Sequence, residues 1–146
     1  MAQRNIHQWL DAYGESHQNK TNKLIHWVCV PGIFLTIAGL LWCIPVPEAM
    51  AKVPFLNWAT LTMLPIMAFY LRLSALVALG MAAFSMVCMA VIAWYEQFAM
   101  FGLLETCVFF FVAFWIMQFW GHKIEGEKPS FFEDLQFLLI GPAWVI

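Results

Sequence analysis

The chain has 146 residues, of which 63% are hydrophobic and 11% are charged, and its mean hydropathy is +0.76. A soluble globular protein of this size needs many more polar residues to cover its surface, so this composition excludes that class and indicates an integral membrane protein. The net charge of −2 offers no basic patch, and no glycine-rich phosphate loop is present. Both features argue against nucleic acid or a nucleotide as a partner.

The N-terminal segment, residues 1–23, is predicted to hold a short amphipathic helix followed by a loop. Apolar side chains recur at helical spacing over residues 4–13, namely Ile6, Trp9, Leu10 and Tyr13. This pattern is typical of a helix that lies on a membrane surface, and Gly14 is expected to end it. The segment lacks an apolar core and a small-residue cleavage site, so we expect no cleaved signal peptide.

Four long runs without charged residues follow, at residues 24–47, 53–71, 73–95 and 106–122. Each approaches the roughly 20 residues that a helix needs to cross a bilayer. The runs are apolar on every face, which favours helices over the alternating strands of a barrel. We therefore predict transmembrane helices at about residues 24–44, 54–71, 73–95 and 103–121.

The C-terminal tail, residues 122–146, is too short to cross the membrane again. Ser130 and Glu133 form a capping-box pattern before a short apolar stretch, which predicts a helix that lies at the interface or packs back against the other helices. The exposed end of this tail is a candidate surface for a homodimer. The predicted fold is an all-α integral membrane four-helix bundle in a single domain, with an N-terminal amphipathic helix and a short C-terminal interfacial helix.

The distribution of basic residues predicts the orientation. With four crossings, both termini and the turn near Arg72 share one side of the membrane. Six basic residues fall on that side and one on the other: Arg4, Lys20, Lys23, Arg72, Lys123 and Lys128 against Lys52. Because cytoplasmic loops carry the excess of lysine and arginine, both termini are expected in the cytoplasm. The membrane would be the inner membrane in a bacterium or the endoplasmic reticulum in a eukaryote.

Three of the four histidines, His17, His26 and His122, lie where polar sequence meets an apolar run on this predicted side. The nine residues from His17 to His26 make about two and a half helical turns, so an unbroken helix would point the two side chains in opposite directions. The turn-prone residues 18–22 predict a break that folds His17 back over the first span. The fourth histidine, His7, is expected to be solvated.

Two polar stripes accompany these histidines. Asn22 and His26 share one helical face, and Gln118, His122 and Glu125 share another. Histidines at a membrane interface can be simple amphipathic anchors, and the spacing alone leaves this alternative open. Histidines together with one carboxylate are also typical ligands of non-haem Fe(II), which predicts a metal site. Its predicted ligands are His17, His26, His122 and Glu125. The side chains expected to orient them are Asn22, Gln118 and Glu127.

Two sequence blocks carry a family resemblance. They are H-Q-N-K-T-N-K-L-I-H-W-V-C-V-P at residues 17–31 and Q-F-W-G-H-K-I-E-G-E-K-P-S-F at residues 118–131. At these blocks the chain resembles the membrane-embedded Fe(II)-dependent 2-hydroxy fatty acid dioxygenases, whose histidines match His17, His26 and His122 and whose acidic position is best matched by Glu125. The intervening spans match only as apolar sequence.

The resemblance implies a reaction of Fe(II) and O₂ with a 2-hydroxy fatty acid, in which His17, His26 and His122 are catalytic. The C1–C2 bond is cleaved to give a fatty acid one carbon shorter. A substrate carboxylate and 2-hydroxyl could chelate iron at the interface while the acyl chain runs between helices among membrane lipids. Lys23 or Lys123 could pair with the carboxylate.

Two other functions stay open at this point. A b-type haem protein would use His26 and His122 as axial ligands. A non-enzymatic lipid-binding or scaffold protein would need none of the histidines. A membrane di-iron desaturase is set aside, because that class uses many histidines in paired clusters and this chain has four.

Overall fold

The structure, a computed structural model, describes residues 4–126, 128 and 137–145, apart from the side chain of Phe137. The described residues form seven α-helices and no strand, which confirms the predicted all-α class. The helices are α1 (Ile6–Glu15), α2 (Lys20–Cys43), α3 (Glu48–Ala51), α4 (Trp58–Leu73), α5 (Ala75–Phe98), α6 (Leu103–Glu125) and α7 (Phe137–Val145).

Three helices, α2, α5 and α6, are long and apolar enough to cross a membrane. At about 1.5 Å per residue, helices of this length reach through roughly 30 Å of hydrocarbon. The predicted second span, α4, has 16 residues and falls short of that length. The four crossings, the single domain and the cytoplasmic termini stay predictions.

Several helix ends differ from the sequence-based boundaries for local reasons. α4 begins at Trp58 rather than residue 54, because Asn57 and Thr60 form a capping box there. α6 continues to Glu125 rather than residue 121 and ends before Gly126, whose φ is +77°. α1 runs through Gly14 to Glu15. The capping box predicted at Ser130 lies outside the described residues.

The chain divides into two compact units. The central unit, Phe34–Phe111, contains α4 and α5, which pack as a tight hairpin on either side of Ser74. The Ser74 hydroxyl accepts the Val77 N–H at the start of α5, and the Ser74 N–H donates to the Tyr70 carbonyl at the end of α4. The predicted sharp turn after Arg72 is therefore present.

The terminal unit combines both ends of the chain, Met1–Ile33 and Val112–Ile146. Its α1 packs on α7, with the rings of Tyr13 and Trp144 5.3 Å apart. The C-terminal helix thus packs against the N-terminal one. This is the second of the two arrangements predicted for the tail, in which it packs back against the other helices. In the same unit, the first half of α2 runs beside the last part of α6.

Glycines allow α2 and α6 to approach closely within the terminal unit. A Cβ atom at Gly121 would lie 2.5 Å from Oδ1 of Asn22, and one at Gly32 would overlap the ring of Phe114. Real Cβ atoms essentially never come this close, so both positions favour glycine. At each of these two points, the backbone of one helix contacts a side chain of the other.

We expect Gly32→Ala to destabilise the protein by about 1–3 kcal/mol, because the added methyl group must displace the Phe114 ring. Unfolding of the detergent-solubilised protein by a denaturing detergent would measure the change. Phe114→Leu in the same chain should recover part of the loss. An unchanged or higher stability of the single variant would contradict the close approach, since alanine is otherwise the better helix former.

Candidate metal centre

The three predicted histidine ligands meet inside the terminal unit. His17 comes from the turn between α1 and α2, His26 from the second turn of α2 and His122 from the last turn of α6. Each offers a ring nitrogen, and these three atoms lie within 4.8 Å of one another. The three side chains are 0%, 1% and 6% exposed, respectively. Residues from opposite ends of the sequence thus form one buried cluster, which we call the histidine cluster.

The break that folds His17 back is produced by local hydrogen bonds. The His17 N–H donates to the Gly14 carbonyl at 3.0 Å, which tightens the end of α1. Asn19 then caps α2, since its side-chain oxygen accepts the Thr21 N–H at 2.9 Å and its carbonyl accepts the Lys23 N–H at 2.9 Å. The predicted turn at residues 18–22 is therefore confirmed, although it is shorter than expected.

Backbone carbonyls set the tautomers of two of the imidazoles. Nδ1 of His17 lies 2.6 Å from the Tyr13 carbonyl oxygen, and Nδ1 of His26 lies 2.9 Å from that of Asn22. A carbonyl oxygen only accepts, so the hydrogen-bond network assigns the proton to Nδ1 in both rings and leaves the lone pair on Nε2. Nε2 of His17 is buried and has no hydrogen-bond partner among the described residues.

The environment of His17 favours its neutral form. Burial lowers the pKa of His17 below its ordinary value, and the positive charge of Lys23 acts in the same direction. The hydrogen bond to the Tyr13 carbonyl and the charge of Glu125 oppose this effect without reversing it. A neutral imidazole is the form that binds a metal ion.

The donor set fits a metal ion. Nε2 of His26 and Nε2 of His122 are 3.1 Å apart. If both nitrogens bound the same ion, each at about 2.1 Å and with an angle of about 90° at the ion, they would lie about 3.0 Å apart. With the lone pair of His17 nearby, the three histidines could form a metal site.

Glu125 lies one turn beyond His122, but the cluster that the structure brings together consists of the three histidines. Its carboxylate accepts hydrogen bonds from the backbone N–H groups of Gln18 and Asn19, at 2.9 Å and 2.7 Å. It also accepts one from Nδ2 of Asn22 at 3.1 Å. The predicted role of Glu125 as a ligand is not tested by this arrangement.

The other predicted site residues differ in burial and in their contacts. Asn22 is fully buried and orients His26 through its backbone carbonyl, whereas its side chain serves the turn and Glu125. Gln118 is buried one turn before His122. Lys23 is half-buried and Lys123 is exposed, as is His7 on α1; Glu127 lies outside the described residues.

Two aromatic residues near the cluster were not predicted from the sequence. The ring of Tyr13 stacks on His17, with centroids 4.2 Å apart and an interplanar angle of 12°. Trp144 lies 5.3 Å from the same imidazole. The spacing of four residues between Tyr13 and His17 was an available signal, but no pattern in the sequence places α7 beside α1.

The family model described as "2-hydroxy-palmitic acid dioxygenase Mpo1-like" matches residues 3–146. No curated protein and no solved structure matches the chain. The family match includes both sequence blocks that supply the histidine cluster, and it covers almost every residue. The chain therefore belongs to the Mpo1-like family.

Proposed function

We propose that this protein is a non-haem iron dioxygenase that uses O₂ to cleave 2-hydroxy fatty acids between C1 and C2, giving a fatty acid one carbon shorter. The observation that carries the proposal is the buried histidine cluster, in which two imidazoles are fixed through Nδ1 with Nε2 left to bind an ion. The family description supports the same substrate class and reaction type.

Iron is the proposed metal because the reaction consumes O₂. Imidazole suits iron, copper and zinc, but zinc has no redox chemistry. Held by His17, His26 and His122, Fe(II) would activate O₂ and offer open positions to a 2-hydroxy acid. The substrate itself would supply the electrons that reduce O₂: C2 would become the new carboxyl carbon, C1 would leave as CO₂, and the remaining oxygen atom would leave as water. The protein's own contribution is to favour the neutral form of His17, to orient His17 and His26 through Nδ1, and to shield all three ligands from water.

The surroundings of the cluster suit a substrate with a polar head and a long acyl chain. On α2, the half-buried Lys23 carries a charge that acts on His17, so its ammonium group could attract a carboxylate to the cluster. The neighbouring Leu24, Trp27 and Val28 are apolar and mostly exposed. These side chains would contact lipid, and an acyl chain could lie along them.

The geometry disfavours the haem alternative. Axial nitrogens on opposite sides of one haem iron would be about 4 Å apart, with the porphyrin plane between them. The two Nε2 atoms of His26 and His122 are 3.1 Å apart, and the His17 ring is centred 4.3 Å from that of His26. We expect no Soret band in the purified protein. No contact of the described residues specifically favours a scaffold role.

We expect His17→Ala, His26→Ala and His122→Ala each to lose bound iron and dioxygenase activity while the helices stay folded. Each substitution removes one of only three imidazole donors, which affects metal binding more than packing. Elemental analysis after anaerobic Fe(II) loading should find about one iron per chain in the wild type and in the exposed control His7→Ala. Full activity in all three cluster variants would contradict the proposal and favour a scaffold role.

The iron-loaded wild type should consume O₂ with a long-chain 2-hydroxy fatty acid and release the acid one carbon shorter. An unsubstituted fatty acid of equal length is the matched control, because it lacks the hydroxyl group that completes the chelate. An oxygen electrode and mass spectrometry of the extracted acids would measure both quantities. Equal O₂ uptake with the two acids would rule out the proposed specificity.

Replacing Lys23 should weaken substrate binding more than replacing Lys123. We expect Lys23→Ala to raise KM about fivefold, since a partly exposed ion pair contributes up to about 1 kcal/mol, with little change in kcat. Lys123→Ala is the control, because this lysine neighbours His122 in sequence but is exposed. Equal KM values for the two variants would remove Lys23 from the substrate site.

A further inference from the structure

We propose that Glu125 is a positioning residue rather than a metal ligand: its carboxylate fastens the α1–α2 turn to the end of α6 and thereby holds His17 in the histidine cluster. The inference deepens the proposed function and rests on it for the use of the cluster as a metal site. The placement of His17 by Glu125 can also be tested in metal-free protein.

Both carboxylate oxygens of Glu125 already accept hydrogen bonds. Oε1 accepts the Gln18 N–H at 2.9 Å. Oε2 accepts the Asn19 N–H at 2.7 Å and a side-chain N–H of Asn22 at 3.1 Å. Hydrogen bonds to an ionised acceptor are roughly twice as strong as those between neutral groups. The α1–α2 turn and Asn22 thus use all of Oε2 and half of Oε1, because each carboxylate oxygen carries two lone pairs.

These donors lie immediately beside His17 in the chain. His17 belongs to neither α1 nor α2, so helical hydrogen bonding does not fix its backbone on both sides. On its N-terminal side, the Ser16 carbonyl accepts from Nδ2 of Asn22 at 3.3 Å. On its C-terminal side, the next two N–H groups donate to Glu125. Asn22 contacts both Ser16 and Glu125, so α2 and α6 hold the turn together.

His26 and His122 do not depend on this contact. Both lie within helices, and their Nε2 atoms meet across α2 and α6. Loss of the Glu125 carboxylate should therefore loosen His17, which keeps its contacts with Tyr13, and leave the other two histidines paired. A lost ligand and a lost positioning contact would then have different consequences for the bound ion.

The first test is hydrogen exchange of the metal-free protein in detergent. In Glu125→Ala, the amides of Gln18 and Asn19 should exchange at least tenfold faster than in the wild type. Glu125→Gln, which keeps one acceptor oxygen, should fall between the two. Glu15→Ala is the matched control, because Glu15 is an exposed glutamate two residues before His17. Wild-type exchange in Glu125→Ala would overturn the proposal.

The second test uses Co(II), a coloured ion that accepts the same nitrogen and oxygen ligands. We expect Glu125→Ala to bind Co(II) about 10- to 100-fold more weakly, yet to give the wild-type visible spectrum at saturation, because the ligands are unchanged. A changed spectrum at saturation would identify Glu125 as a ligand and overturn the proposal. If Glu125→Ala does not fold, Glu125→Gln carries both measurements.

The two proposals fail in different ways. Wild-type protein that binds neither Co(II) nor Fe(II) under anaerobic conditions would count against the dioxygenase function. The exchange rates of the metal-free variants would still decide whether Glu125 holds the turn. If Glu125→Ala showed faster exchange but bound Co(II) with normal affinity, the turn would have no influence on metal binding. That result would overturn the positioning role.

Discussion

The close contact of α2 with α6 at Gly121 is the constraint on which the rest of the terminal unit depends. With no Cβ at this position, the Oδ1 atom of Asn22 can occupy the space where a side chain would begin. His122 follows Gly121 on α6, and His26 lies one turn after Asn22 on α2. The close approach of the helices therefore brings the Nε2 atoms of these two histidines to within 3.1 Å. A larger residue at position 121 would have to displace the Asn22 side chain, which donates to the Ser16 carbonyl and to Glu125.

The third member of the cluster, His17, is positioned by hydrogen bonds rather than by helix packing. Glu125 lies one turn beyond His122, where it meets the N–H groups of the turn that carries His17. Tyr13 then stacks on the same imidazole, and α7 packs against α1 with Trp144 near both rings. The histidine cluster therefore needs residues from both ends of the chain, which explains why the two sequence blocks that carry the family resemblance lie there.

Much of this arrangement could be predicted because it is local or periodic. The helical class follows from composition, the break before α2 from turn-forming residues, and the buried faces of Asn22, His26, Gln118 and His122 from helical spacing. The partners of Glu125 could not be predicted, since a carboxylate on a helical face serves equally well as a metal ligand or as a hydrogen-bond acceptor. The predicted start of α4, at residue 54 rather than Trp58, was too early because a run of apolar residues does not show that Asn57 caps the helix.

The energetic cost of the histidine cluster itself argues for a function. Burying a polar atom without a hydrogen bond costs about 1–3 kcal/mol, and Nε2 of His17 is such an atom among the described residues. Leucine or phenylalanine would fill the same volume without that cost. A protein that only bound lipid or supported a partner would gain nothing from three imidazoles facing one another in its interior. An ion at that point would satisfy the nitrogen lone pairs together, and this makes a metal centre the simplest physical reason for the cluster.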